Sequence, residues 1–362
     1  MSKNLNVYFV GSRYHGCNYV RCLLPMWANG WDGSIKGIGK REKPIHNIMN
    51  ELQAADVVVF HRADTVEHHK IGQILKGMGK KIVFDNDDTY KKTERHPFYM
   101  MDEKNFEQNK TFKNNLINNF ILNSDLVTCT TEALAKEYKD YNPNVVVLPN
   151  CIDPFDWDEP LRNEGDKVRI GIVGSTAYNH DFEHVQDFIL ELSKRDDVQL
   201  VLYGLHSRER KEGSRLVRRV LRKEYAFWDK IENLEHTEWC EMYDYFKTLN
   251  NLKLDIMLIP RGESDFNRAK SNIKFLEAGM CEIPVIAQSF STNDSPYDND
   301  LNGENGILVK DNSKWMEETV RLIENKELRR KIGKNAKEYV LANYDIKDHA
   351  HKWVEAYDKL IK

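Results

Sequence analysis

Residues 255–287 hold an arrangement that few folds accommodate: an apolar strand over 255–259, a polar loop, a helix of about two turns closed by Gly279, and a second apolar strand over 284–287. Parallel strands need a crossover and a helix supplies one, so this is a β-loop-α-β unit of a parallel sheet. At the loop-to-helix junction Ser271 and Asn272 are cap residues by type, and the first backbone N–H groups of the helix, through Ile273, point at whatever sits above the strand ends. Such a helix start attracts anions. Lys270, Lys274 and Glu277 recur at spacings of four and three and share one face, while Ile273, Leu276 and Met280 fall on another.

Two cations and one carboxylate beside a helix start suit a nucleotide diphosphate, with the cations on the phosphates and the carboxylate on a ribose hydroxyl. The plain alternative is an amphipathic crossover helix whose lysines are solvated. The run FNRAKSNIKFLEAGMCEIPVIA resembles the donor-site segment of GT-B glycosyltransferases, in particular the divergent family 4-like group. The resemblance implies two Rossmann-like domains facing each other across a cleft, with a C-terminal helix crossing back to the N-terminal domain.

The rest of the chain accords with that expectation. Apolar runs at 7–10, 57–60, 82–84, 126–128 and 145–148 alternate with helical stretches such as 65–78 and 131–138. A second alternation has runs at 168–173, 200–203, 255–259, 284–287 and 307–309. Alternating strands and helices imply parallel sheets covered on both faces. The expected division is an acceptor domain over 1–153, a linker over 154–167, a donor domain over 168–345 and a crossover helix over 346–362. At 362 residues the chain is comfortable for two domains. It has no apolar run of the length of about eighteen residues that a membrane span needs, and its first residues enter a strand without a signal peptide. The six cysteines form no CxxC, which leaves a reducing cytoplasm as the simplest compartment. The net charge of −4 gives no global bias toward nucleic acid.

Three further stretches carry candidate chemistry. After the strand at 168–173, Gly174, Ser175 and Thr176 can approach and hydrogen-bond a phosphate, ahead of a helix beginning near Asp181, and the resembled enzymes carry a similar turn at this place. Many of those enzymes add Arg and Lys in or just after this loop, and residues 174–183 have neither, so neutralising the diphosphate falls to Arg268, Lys270 and Lys274. The first carboxylate of the family's E-x7-E pattern is also missing, since Ala269 stands there. On the acceptor side Arg13 and His15 follow the first strand, and Asp85, Asp87 and Asp88 end the strand in IVFDNDDTY. That acidic pattern also fits a Mg²⁺-dependent phosphatase of the haloacid-dehalogenase type, with Asp85 and Asp87 as nucleophile and metal ligands. Over 206–223 there are eight Lys or Arg against two Glu, and on a helix Arg215, Arg218, Arg219 and Arg222 form one stripe, either a solvated face or a contact for nucleic-acid phosphates.

The expected protein is a glycosyltransferase moving a sugar from a nucleotide-diphosphate sugar to a hydroxyl acceptor, with no metal and no other cofactor. Resemblance to family 4 implies retention at the anomeric carbon. Catalytic candidates are Arg268, Lys270, Lys274 and His15; donor contacts are Gly174, Ser175, Thr176, Ser271, Asn272, Ile273 and Glu277. The acceptor is a saccharide or a hydroxymethylated base in DNA. The competing readings are the phosphatase and a non-catalytic nucleotide-sugar binding module.

Overall fold

The computed structural model describes residues 5–11, 15–35, 48–90, 106–174, 176–204 and 227–362, with the side chains of all but 35, 106–110, 113 and 176–180. The strands form two six-stranded parallel sheets. The first contains β1 (Val7–Gly11), β2 (Asp32–Ile35), β3 (Val57–His61), β4 (Lys81–Asn86), β5 (Leu126–Cys129) and β6 (Val145–Val147), in the order β2-β1-β3-β4-β5-β6. The second contains β7 (Val168–Val173), β8 (Val198–Tyr203), β9 (Glu235–Thr237), β10 (Ile256–Ile259), β11 (Val285–Gln288) and β12 (Ile307–Val309), in the order β12-β11-β10-β7-β8-β9.

Strands covered on both faces should be apolar throughout, and VYFVG in β1 and VVVFH in β3 are buried at every position. Two apolar clusters accordingly flank each sheet. The helices between strands begin at side-chain caps: Thr65 accepts from His68 N–H at 3.1 Å ahead of Val66–Gly77, and Thr131 from Leu134 N–H at 3.3 Å ahead of Glu132–Lys139.

The chain crosses between the sheets twice, and the crossings touch. Ile152 N–H donates to Tyr344 O at 2.9 Å and Ile346 N–H to Ile152 O at 2.8 Å, a parallel bridge between the outgoing and returning chain. The last helix, Ile346–Asp358, then lies against the first sheet, with Trp353 and Tyr357 fully buried in one cluster with Val7, Phe9 and Leu23. Burying two such aromatic side chains contributes about 1.5–3 kcal/mol each. The terminal helix thus crosses back as expected.

Several local expectations need correction. Gly279 does not close its helix, which runs Ile273–Met280; a Cβ there would lie 2.8 Å from Val340 Cγ2 and 3.2 Å from Ala336 O, so the glycine admits the neighbouring helix Lys326–Tyr344. Lys270 stands outside that helix, between it and a one-turn helix over Asp265–Arg268. The helix expected near Asp181 begins as a 3₁₀ segment over Thr176–Val185 and becomes α-helical only at Gln186. The sheets also gain edge strands β2 and β9, which the apolar pattern does not announce.

Each sheet reverses its strand order once, between β1 and β3 in the first and between β7 and β10 in the second. Loops leaving the carboxyl ends of strands diverge at such points and open a crevice.

Candidate active site

The crevices of the two sheets face each other and enclose a cavity of about 330 Å³. All four loops at the reversal points reach it: His15 after β1, Arg62 after β3, Gly174 after β7 and Arg261 after β10. The start of helix Ile273–Met280 adds Ser271, Ile273, Lys274 and Glu277, and helix Met242–Asn251 adds Tyr245 and Phe246.

On the C-terminal side, Lys274 and Glu277 meet as their spacing predicts. Lys274 Nζ donates to Glu277 Oε2 at 2.7 Å and to the Tyr245 hydroxyl at 2.7 Å, and that hydroxyl reaches Glu277 Oε2 at 2.7 Å. The floor is backbone: Gly174 N–H donates to Tyr203 O at 3.0 Å, and Gly204, at φ +91°, lies so close that a Cβ would stand 2.7 Å from Gly174 O. Only glycine combines that φ with that approach. Ser271 accepts from Asn150 Nδ2 at 3.0 Å. Asn272 is the N-cap residue but makes no side-chain cap bond; its amide donates to Asp300 at 2.8 Å instead. The anchored Asp300 also accepts from Tyr339 at 3.0 Å and Tyr344 at 2.7 Å, so the Asn272 side chain is a structural tie rather than a ligand contact.

Arg268 departs furthest from its expected role. Its guanidinium is held by Asp294 at 2.9 Å, Asp265 at 3.2 Å and Glu263 at 2.5 Å, three carboxylates outside the cavity lining. Arg261 occupies the cleft in its stead, nearly buried at 5% exposure, with Nε donating to Tyr297 OH at 3.1 Å and Nη1 to Asp181 Oδ2 at 3.4 Å. Burial pushes the Asp181 carboxyl up, against the opposing pull of Arg261 and a 2.5 Å bond from Asn267.

Lys270 leans across the cleft. Its ammonium lies 2.8 Å from Asp88 Oδ2 of the N-terminal half and 4.1 Å from the centroid of Phe266. The adjacent Ala269 O accepts from Thr131 Oγ1 at 3.2 Å, so residues 269–271 carry three polar contacts between the halves.

In the N-terminal half the three aspartates separate by environment. Asp85 is 1% exposed, with Oδ1 taken by Arg21 Nε at 3.1 Å and Oδ2 by Arg21 Nη2 at 2.6 Å and Thr128 Oγ1 at 2.7 Å. It therefore meets neither an acceptor nor a phosphorus atom, which removes the nucleophile of the phosphatase reading. Asp87 faces the cavity and is gripped by Arg62 through Nε at 2.8 Å and Nη2 at 3.0 Å, with His61 Nε2 at 3.2 Å. Burial alone would raise its carboxyl, but Arg62 and the His61 hydrogen bond outweigh that and hold it well below the usual carboxylate range. Arg62 sits at φ +54°, a left-handed conformation that is sparsely populated by residues with a Cβ. His15 caps its short helix, accepting from Cys17 N–H at 3.2 Å, and lines the cleft.

Arg13, Ser175 and Arg215, Arg218, Arg219 and Arg222 lie outside the described residues, as does the side chain of Thr176. Among the described residues no group of three or more His, Cys, Asp or Glu side chains is placed to hold a metal ion. Nor is any described helix long and apolar enough to cross a membrane. Arg62, Arg261 and Tyr245 were not picked out by sequence reasoning. The first two carry a usable signal, a cation one or two residues beyond an apolar strand at its carboxyl end. Tyr245 carries none, being one aromatic among several in YDYF.

Comparison with known proteins places this geometry. The model of the family described as "Glycosyl transferase-like" matches residues 164–355, more than half of the chain. The trehalose synthase of Thermococcus litoralis is 26% identical over 227 residues, or 58% of this chain, which spans 52% of that relative's length. Among solved structures, the sucrose-phosphate synthase of Thermosynechococcus elongatus superposes with a TM-score of 0.66 at 15% identity over 99% of both chains. HepE of Anabaena, in complex with UDP-glucose, does so at 0.66 and 12% identity over 98% of this chain and 100% of its own. Two parallel sheets joined by a double crossover, a cleft lined from both reversal points, whole-chain likeness to GT-B structures and the family match converge: the chain belongs to the glycosyl transferase-like family and has the GT-B fold.

Proposed function

We propose that the chain transfers a sugar from a nucleoside-diphosphate sugar to a hydroxyl of a saccharide acceptor, with retention at the anomeric carbon and without a metal ion. The observation that carries this reading is the set of cations converging on one glycine-floored cleft: Lys274 and Arg261 from the C-terminal half, with Lys270 bridging to the N-terminal half. Gly174, the 271–273 helix start and these cations take the diphosphate, and Glu277 takes a ribose hydroxyl. In the reaction the bond from the anomeric carbon to the distal phosphate oxygen breaks, its electron pair leaving on the diphosphate. The acceptor oxygen forms the new bond and its proton is released. Charge therefore grows on the diphosphate, where each well-placed cation or N–H contributes roughly 3 kcal/mol, about a hundredfold in rate. Retention rests on resemblance to family 4.

Two features of the cleft support a saccharide acceptor. His15, Asp87 and Asp88 offer hydrogen-bonding groups, and Tyr19, Trp157 and Phe246 offer aromatic faces in contact with one another, Tyr19–Phe246 at 5.2 Å and Trp157–Phe246 at 4.5 Å between centroids. Sites for amphipathic ligands combine such apolar walls with a few polar groups. The test is product formation from a panel of nucleotide sugars with oligosaccharides, or with hydroxymethylated duplex DNA, in the presence of EDTA, with the product anomer read by NMR. Transfer to a saccharide in EDTA with retained configuration supports the reading. Transfer to DNA alone, inversion, or dependence on Mg²⁺ overturns the corresponding part.

A further inference from the structure

Lys274 and Glu277 belong to one helix, yet the contact that fixes both comes from another. Tyr245, on helix Met242–Asn251, closes a triangle in which its hydroxyl, Lys274 Nζ and Glu277 Oε2 are mutually 2.7 Å apart. The hydrogens in this triangle have one arrangement. An ammonium only donates, so Lys274 gives one N–H to the phenol oxygen and another to Glu277; the phenol's own hydrogen is then left for the carboxylate. Burial, and next the Glu277 carboxylate, hold the Tyr245 phenol well above its usual value, which keeps that hydrogen in place.

We propose that Tyr245 is the positioning residue of the donor site, an inference that rests on the donor reading of Lys274 and Glu277. Both bonds to Glu277 fall on Oε2, so the carboxylate is divided: one oxygen is anchored inside the triangle and Oε1 is presented to the ligand. Lys274 is divided likewise, with two of its three hydrogens engaged and the third available for a phosphate oxygen. The ring that carries the hydroxyl is itself immobilised, stacked on Tyr203 with centroids 5.6 Å apart and planes at 18°, and lying beneath Lys274 Nζ at 5.2 Å from its centroid. Tyr203 ends β8 beside Gly204, so the triangle is referenced to the glycine floor on which the diphosphate rests. Without the hydroxyl, Lys274 and Glu277 keep only their mutual i,i+3 bond and lose the tie from helix Met242–Asn251 that fixes which carboxylate edge the ribose meets.

A hydroxyl that merely stabilises the fold would shift the melting temperature without acting through Glu277, and a mutant cycle separates the cases. The probe is whichever of UDP, ADP, GDP and TDP binds wild type most tightly, titrated by calorimetry into wild type, Tyr245→Phe, Glu277→Gln, Lys274→Ala and the Tyr245→Phe/Glu277→Gln double variant. Tyr245→Phe keeps the ring and its stacking; should it unfold, Tyr245→Leu, apolar and without a hydrogen-bonding group, takes its place with the same expected coupling to Glu277→Gln. Loss of a hydrogen bond to a charged group corresponds to an affinity about tenfold weaker for Tyr245→Phe, and the double variant is expected within about twofold of the weaker single. If Tyr245→Phe binds like wild type while Glu277→Gln and Lys274→Ala lose affinity, or if the losses multiply, Tyr245 does not position the site although the donor reading stands. If no nucleotide binds wild type, or Lys274→Ala binds unchanged, the donor reading itself falls and the inference with it.

Discussion

Replacing Asp85 should damage the fold before it touches any chemistry. Arg21 is wholly buried in a π-turn over Tyr19–Leu23, and Asp85 opposite it is 1% exposed. Besides its two bonds to Asp85, the guanidinium donates through Nη1 to Leu148 O at 2.5 Å and to Asn150 Oδ1 at 3.4 Å. The pair therefore ties the first helix to β4, to β5 through Thr128, and to the chain entering the crossover. Asp85→Ala leaves a guanidinium charge without water or counter-ion, and removing one partner of a buried pair costs about 3–5 kcal/mol. At roughly 2–4 °C per kcal/mol for a domain of about this size, the melting temperature should fall by about 6–20 °C in differential scanning calorimetry. The double variant Arg21→Met/Asp85→Leu removes both charges and should recover much of that loss, since an apolar pair of similar volume is often no worse than a buried ion pair. An Asp85→Ala protein that melts within 2 °C of wild type, or a double variant no better than the single, would refute this account of the pair. An Asp85→Asn protein with normal stability and no activity would return Asp85 to the chemistry.

Asp87 makes the pH counterpart. Its carboxyl is held below its unfolded value, so the stability it contributes is present above about pH 4 and is lost as pH falls toward its folded value. Asp87→Asn should be less stable than wild type at pH 7 yet lose less on acidification from pH 5 to pH 3, which urea melts at each pH would show. The Lys270–Asp88 contact holds the two halves together at residues 269–271. Asp88→Asn, by removing a charge-assisted hydrogen bond, should speed amide exchange across 269–273 by about tenfold or more while leaving the β4 amides unaffected.

Much of this molecule is visible in its sequence because burial leaves a mark there. Strands covered on both faces are apolar without interruption, so most strand positions and the parallel class follow from runs such as VVVFH and VRIGIV. Lys274 and Glu277 meet because i,i+3 proximity is a property of the helix itself. What stays hidden is whatever distant parts of the chain decide between them. Asp85 reads as a cleft acid until Arg21, 64 residues away, is seen to occupy both its oxygens. Arg268 reads as a phosphate ligand until Asp294 arrives from a later loop to complete a cage of carboxylates. The edge strands Asp32–Ile35 and Glu235–Thr237 are short and polar because an edge buries little, so the signal that exposes central strands is absent from DGSI and EHT.

The most direct test of the donor cleft is thermal stabilisation by a panel of nucleoside diphosphates and nucleotide sugars, with and without EDTA, on wild type and Lys274→Ala. A ligand at 100 times its Kd adds about 2.7 kcal/mol to the native state, a rise of roughly 5–11 °C at 2–4 °C per kcal/mol. The expected result is a rise with one nucleotide that EDTA leaves intact and Lys274→Ala abolishes. A rise that requires Mg²⁺ and survives Lys274→Ala would place the ligand elsewhere and contradict the site described around residues 260–287.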